Sequence, residues 1–247
     1  MEPIGSKNVL RGIGLNLVKK IRDLIFPVFC LSCKKEGEVV CSACLKKVKS
    51  EPQFFCPSCY QNNLKGETCL NCLVDSFLDG AFSLGVYKNK VLQAALVDYK
   101  YNFNQDAQVI FKQLIADWVQ KNPKVVQDFF EQKMLLIPVP LHSSRLWERG
   151  FNQAEQLAKI LAEETNYSYQ NDWLVRFKKT SRQVGLGRGE RQQNLSGAFK
   201  VKKNLAGETI ILIDDVFTTG STLQECAKVL KQAGAKKVLA LALLREN

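Results

Sequence analysis

At 247 residues with 46% hydrophobic content, the chain holds enough apolar material for one good-sized core plus a small accessory module, which excludes disorder over its whole length. Its longest apolar run, Val238 to Leu244, is strand-sized and far below the roughly 18 to 20 residues of a spanning helix. No secretory pattern is expected either, because Arg11, Lys19, Lys20 and Arg22 interrupt any apolar stretch near the start, so the expected location is the cytoplasm. The formal net charge of +11 is concentrated: nine Lys/Arg against one acidic residue, Glu190, lie between Arg176 and Lys203, and such a segment implies an anionic partner.

In chain order, Leu10, Ile13, Leu17, Ile21 and Leu24 fall three or four apart and predict a basic amphipathic helix within residues 1–27, ended by Pro27. Its uses are packing on the body of the protein or contact with a membrane surface or a partner. Eight of the nine cysteines then form four C-x-x-C pairs, Cys30/Cys33, Cys41/Cys44, Cys56/Cys59 and Cys69/Cys72. In a reducing compartment that spacing reads as zinc. A two-residue gap lets both sulfurs of a tight turn face one ion, and two such turns complete a closed four-thiolate site with a structural role. Pairing in chain order gives one ion to Cys30, Cys33, Cys41 and Cys44 and a second to Cys56, Cys59, Cys69 and Cys72, a double zinc ribbon over 28–76. Spacing alone leaves an interleaved pairing open, and iron–sulfur binding or thiol redox are the other uses of such a cluster.

After a short polar hinge, residues 80–247 predict alternating strands and helices: a strand at Ala81–Tyr87, one or two helices over Val91–Gln120, and a strand at Met134–Val139. A polar turn is expected at Asn102–Asp106, with Lys100 near it and within reach of a substrate. A helix at Gln153–Glu164 follows, with Asn152 as its N-cap. Trp173–Phe177 and Ala198–Val201 read as strands flanking the basic segment. That segment, with Gly185, Gly187, Gly189 and Gly197, reads as a loop with no helix leaving it, serving as a lid over a polyphosphate, a grip on nucleic-acid phosphates, or simply a solvated loop. The chain ends in a strand at Thr209–Asp214, a helix at Ser221–Ala233 and a strand at Lys237–Leu244. Alternation of this kind implies an α/β fold with a mainly parallel sheet flanked by helices. Cys226 falls on the apolar face of the Ser221–Ala233 helix with Leu223, Ala227 and Leu230, as a core residue.

The run from Ile210 to Thr222 carries the most chemistry. Four aliphatics suit a strand buried on both faces, and Asp214 and Asp215 sit at its carboxyl end, where open α/β sheets place ligands. Two adjacent carboxylates can accept hydrogen bonds from neighbouring ribose hydroxyls. Thr218, Thr219, Gly220, Ser221 and Thr222 then offer hydroxyls and backbone N–H groups at a helix start, where the dipole favours a phosphate.

This stretch resembles the 5-phosphoribosyl-1-pyrophosphate (PRPP) signature of the type I phosphoribosyltransferases. A second match, Pro138-Val-Pro-Leu-His-Ser-Ser-Arg-Leu-Trp-Glu-Arg-Gly-Phe-Asn-Gln through Ala158, joins Gln183, Leu186, Arg191, Asn194 and Gly197-Ala198-Phe199 and the C-x-x-C run. Together they resemble the ComF/GntX family, whose order is a zinc-ribbon head followed by a phosphoribosyltransferase-like domain. The resemblance implies ribose contacts at Asp214 and Asp215 and a 5'-phosphate cradle at Thr218–Thr222. It implies a pyrophosphate loop at Leu141–Gly150 with Arg145 and Arg149, and a flexible catalytic loop holding Arg182, Arg188 and Arg191. His142, the single histidine, falls in the pyrophosphate loop as a contact, a spacer or a general base. The implied activity is transfer of ribosyl phosphate from Mg²⁺-bound PRPP to an acceptor. The implied setting is natural transformation, with single-stranded DNA as a further partner. The rival reading is a non-catalytic accessory that binds single-stranded DNA; a third reading is a metal-dependent scaffold that docks a competence helicase or a membrane partner through the N-terminal helix.

Overall fold

The computed structural model describes residues 27–101, 107–122, 134–180 and 188–246. The predicted N-terminal helix, the polar turn after Tyr101 and Arg182 lie outside them. The chain divides into two compact units, Met1–Lys47 and Val48–Asn247. The two cysteine clusters therefore belong to different units, and the second shares its unit with the sheet. The first unit is built on a bridge between Phe29 and Glu36 and a single helical turn, α1 (Ser42–Leu45).

The larger unit is a six-stranded sheet in the order β1 (Gln53–Phe55), β2 (Gly80–Val86), β8 (Lys237–Arg245), β7 (Thr209–Phe217), β3 (Met134–Pro138) and β4 (Ser168–Tyr169). All neighbours run parallel except β1, which is antiparallel to β2. The centre is β7 and β8, whose uninterrupted aliphatic runs, Ile210–Ile213 and Val238–Leu244, are buried throughout, as strands covered on both faces must be. The strand register places the acidic pair. β3 pairs with β7 only as far as Pro138 opposite Ile213, whereas β8 continues beside β7 to Arg245 opposite Phe217. Asp214 and Asp215 thus lie just past the end of β3 while still held in the strand by β8.

Helices α2 (Lys90–Tyr101), α3 (Gln108–Lys121) and α5 (Gln153–Thr165) connect the early strands. α5 buries Ala154, Leu157, Ala158, Ile160 and Leu161 along one stripe, and its start is capped by the Asn152 side chain, whose Oδ1 accepts from the Ala154 N–H at 3.2 Å. The closing helix α7 (Ser221–Gln232) buries Leu223, Cys226, Ala227 and Leu230, so Cys226 is a core residue.

Two segments depart from the sequence expectation. Inside Leu141–Gly150 lies a helix, α4 (Ser143–Arg149), with His142 as its N-cap and Gly150 (φ 75°) as its left-handed C-terminal residue. Within the basic segment a helix does leave the glycine run: α6 (Arg188–Leu195), between β5 (Leu174–Arg176) and β6 (Phe199–Val201), which pair with each other. Arg, Glu and Gln are good helix formers, and one fully buried side chain, Leu195, anchors the element. A helix fixed by a single apolar residue has no periodicity to detect.

Candidate functional site

Each four-cysteine group falls out in chain order, Cys30, Cys33, Cys41 and Cys44 in one and Cys56, Cys59, Cys69 and Cys72 in the other, with all sulfurs of a group within 4.8 Å of one another. A tetrahedral zinc with bonds near 2.3 Å requires sulfurs about 3.8 Å apart. The Cys33–Cys41 and Cys59–Cys69 sulfur separations are 3.6 and 3.8 Å. The residues therefore fit the ion. The Cys41 N–H points at the Cys30 sulfur at 3.4 Å, and against burial, which raises a thiol, backbone N–H groups lower Cys30 to about 6. Cys56 is lowered to about 6 in the same way, by the N–H groups of Cys59, Cys69 and Ser58 against burial. Both knuckles are followed by a residue in the left-handed conformation, Lys34 (φ 62°) and Tyr60 (φ 65°). In both sites one thiol is poised as a thiolate, the form that binds metal.

At the end of β7, successive side chains face opposite sides of the sheet, and the partners of the acidic pair divide accordingly. Asp215 forms an ion pair with Lys100 of α2, Nζ to Oδ2 2.6 Å. Asp214 accepts from the Asp215 N–H at 2.9 Å and shares its field with Arg176 of β5 and Cys226 of α7. Burial and then the adjoining Asp215 charge push the Asp214 carboxyl up to about 7, against the opposing pull of Lys100 and Arg176. Burial, with the Asp215 charge added, also pushes the Tyr99 phenol up. Both carboxylates keep part of their surface exposed.

Thr218–Thr222 forms the turn from β7 into α7. Gly220 is its pivot, with φ 68° and the Phe217 ring so close that a Cβ there would lie 2.6 Å from Cζ; only glycine meets both demands. The Thr219 and Ser221 hydroxyls are 2.9 Å apart. The first intrahelical bond of α7 runs from the Gln224 N–H to the Gly220 carbonyl at 2.8 Å, so the turn lies at the positive end of the helix dipole.

A cavity of about 340 Å³ opens between α4 and the end of β5, lined by His142, Ser144, Arg145, Glu148, Arg176, Lys179 and Thr180. Three cations against one carboxylate suit an anion. Arg176 is 8% exposed; it donates to the Thr180 hydroxyl, leaves its Nε without a partner, and lies over the Phe199 ring, Cζ 5.4 Å from the centroid. Burial and then the Arg145 charge depress its pKa, offset in part by Asp214. Arg176 is thus the link between the acidic pair and the basic cavity.

Of the residues singled out by sequence, Asp214, Asp215 and the Thr218–Thr222 turn come together, and Arg145 lines the neighbouring cavity. Arg149 instead donates to the Gln153 Oε1 at 3.0 Å. Arg188 and Arg191 lie on α6. The Nδ1 of His142 accepts from the Ser144 N–H at 3.2 Å, so the residue caps α4 while also lining the cavity. Arg176, Lys179 and Thr180 were missed as site residues. Arg176 and Lys179 counted only as part of the basic segment, and the expected strand at Trp173–Phe177 was the one signal of where Arg176 would lie.

The phosphoribosyl transferase domain model matches residues 148–247. Competence protein ComFC of Bacillus subtilis is 32% identical over 224 residues, covering 85% of this chain and 86% of that protein. Competence protein F of Haemophilus influenzae is 29% identical over 227 residues, covering 87% of this chain and 96% of that one. The DNA utilization protein YhgH of Salmonella typhi is 36% identical over 110 residues, 44% of this chain and 48% of that protein. Among the described residues no helix is long and apolar enough to cross a membrane.

Proposed function

This chain belongs to the ComF family of competence proteins, and we propose that it binds PRPP and transfers ribosyl phosphate to an acceptor with release of pyrophosphate, in a role linked to DNA uptake. One observation carries the reading: two carboxylates at the end of a central strand, followed directly by a glycine-pivoted turn of hydroxyls opening a twelve-residue helix. In this reading Asp214 and Asp215 hold the ribose hydroxyls, and the Thr218–Thr222 amides and hydroxyls hold the 5'-phosphate. Arg145 and Arg176 face the diphosphate, joined by Arg149 as the resemblance implies, and the resemblance assigns Arg182, Arg188 and Arg191 to the catalytic loop.

Fixing the phosphate and both hydroxyls orients the sugar for in-line attack. Breaking the C1–O bond leaves positive charge on the ring and negative charge on the departing diphosphate, and fixed guanidinium groups stabilise the latter. Mg²⁺ arriving with PRPP adds charge neutralisation at the diphosphate. Asp215 engages a ribose hydroxyl once Lys100 yields part of its ion pair, and Asp214, poised to ionise near pH 7, would set negative charge opposite the positive charge that develops on the ring.

Calorimetry with PRPP and Mg²⁺, followed by a screen of bases and amines for pyrophosphate release, tests the reading. The parent is expected to bind and turn over PRPP and the Asp214→Ala, Asp215→Ala double variant to do neither; a parent that neither binds nor consumes PRPP defeats it. The second reading, a single-stranded-DNA-binding accessory, is favoured by the basic Arg176–Lys203 segment. Charge reversal at Arg182, Arg188 and Arg191 separates the two. Loss of DNA retention with a reduced salt slope supports the accessory, and loss of turnover with DNA binding unchanged supports the enzyme.

A further inference from the structure

We propose that Tyr60 of the second cysteine ribbon is a positioning residue for the Thr218–Thr222 turn, setting the orientation of one peptide plane through the hydrogen bond from its hydroxyl to the Thr219 carbonyl. The inference rests on reading that turn as the site of a phosphomonoester. The bond is 3.0 Å long and spans 159 residues of sequence. A trans peptide is planar, and its C=O and N–H point in opposite directions. Pinning the Thr219 carbonyl toward the ribbon therefore directs the Gly220 N–H away from it, to the opposite side of the turn. Were that plane to flip, a carbonyl would replace a donor at the mouth of the helix, and a carbonyl oxygen repels an anion.

Tyr60 is itself held on three sides. Its N–H donates to the Cys56 carbonyl at 2.9 Å, and it directly follows the metal ligand Cys59 with φ 65°. Arg245, at the end of β8, donates to the Tyr60 carbonyl and to Asn62 Oδ1, both at 2.6 Å, while its guanidinium lies 4.0 Å over the Phe55 ring. The Tyr60 ring meets Phe217 edge-on at 6.2 Å, and Phe217 is the residue whose ring occupies the space beside Gly220. A second tie runs from Gln224, in the first turn of α7, to the Phe77 N–H and the Ser76 hydroxyl, both at 2.9 Å. The ribbon thus grips the turn through one hydroxyl and the helix after it through one amide. Because Tyr60 adjoins Cys59, the state of the second metal centre is transmitted to the turn along the same path.

Tyr60→Phe keeps the ring against Phe217 and removes only the hydroxyl. One hydrogen bond of ordinary strength is worth about five- to tenfold in a binding constant. In the full-length, zinc-loaded protein, the variant is expected to bind ribose 5-phosphate about five- to tenfold more weakly while inorganic pyrophosphate binds as it does to the parent. Hydrogen exchange of the 218–222 amides should rise in Tyr60→Phe, and rise further in Cys59→Ser. Equal weakening of both ligands would indicate general loosening and overturn the proposal, as would unchanged exchange at these amides in both variants. A parent that fails to bind ribose 5-phosphate removes the phosphate reading, while the exchange measurement still decides whether Tyr60 sets the turn.

Discussion

A carboxyl that the fold raises to about 7 beside a second carboxylate makes stability depend on pH in a direction opposite to the usual aspartate. In the unfolded chain Asp214 ionises near 3.8; in the folded protein burial and Asp215 hold the proton on until about 7. Between those values the folded state binds the extra proton, so the contribution of Asp214 to stability is fully present below about pH 4, is lost as pH rises toward 7, and stays lost above it. At about 1.4 kcal/mol per pKa unit, the ceiling on this loss is about 4 kcal/mol. Asp214→Asn keeps the shape and removes the titration. Urea unfolding without ligand at pH 5 and pH 8 should show the variant gaining on the parent at the higher pH, while its affinity for PRPP falls. An identical pH dependence in the two proteins would mean that Asp214 ionises normally.

The elements divide by how their apolar residues are arranged. β7, β8, α5 and α7 were legible because each shows a continuous aliphatic run or a helical stripe, and the Asp–Asp–turn junction was legible because it sits between two such elements. α4 and α6 were not. α4 leaves Trp147 89% exposed and is capped by a histidine rather than by the Ser, Thr, Asp or Asn that mark a helix start. α6 turns on one buried leucine. The ion pair between Lys100 and Asp215 joins the last turn of α2 to β7 across more than a hundred residues, a meeting set by how α2 lies on the sheet, which no local pattern encodes. Its electrostatic consequence can be measured. Lys100 holds the Asp214 carboxyl down, so Lys100→Met should move the stability transition, and the carboxyl's own titration followed by NMR, to a pH above the parent's. An unmoved midpoint would show that the Lys100 charge is not felt at Asp214.

At the scale of the molecule, the position of the boundary decides what can be cut away. The sequence suggested a ribbon module ending near residue 76, but the second ribbon is woven into the sheet. β1 pairs with β2, Glu67 bridges to Gly80, and the Ala81 N–H donates to the Gly66 carbonyl at 2.7 Å, with Gly66 and Gly80 too close to admit a side chain. Ser50 donates twice to Asp117 of α3, at 2.8 and 3.0 Å. Phe55 is fully buried against Phe217 at 4.8 Å between ring centroids, in the same core as Leu212 and Leu230. A cut at residue 80 deletes a buried phenylalanine, worth about 3–5 kcal/mol. It also strips Arg245 of Tyr60, Asn62 and the Phe55 ring and opens the core beside Phe217 to water. The loss of the phenylalanine alone is a large part of the stability of an ordinary domain, about 5–15 kcal/mol. A fragment of residues 48–247 is therefore expected to unfold cooperatively, carry one zinc ion per chain through Cys56, Cys59, Cys69 and Cys72, and bind PRPP as the full chain does. A fragment of residues 80–247 is expected to aggregate or to lack a cooperative transition. Calorimetric melting with metal analysis on both fragments decides it. A well-folded, ligand-competent 80–247 fragment would mean that the ribbon merely decorates the sheet, and the second cysteine cluster would then have no path to the Thr218–Thr222 turn.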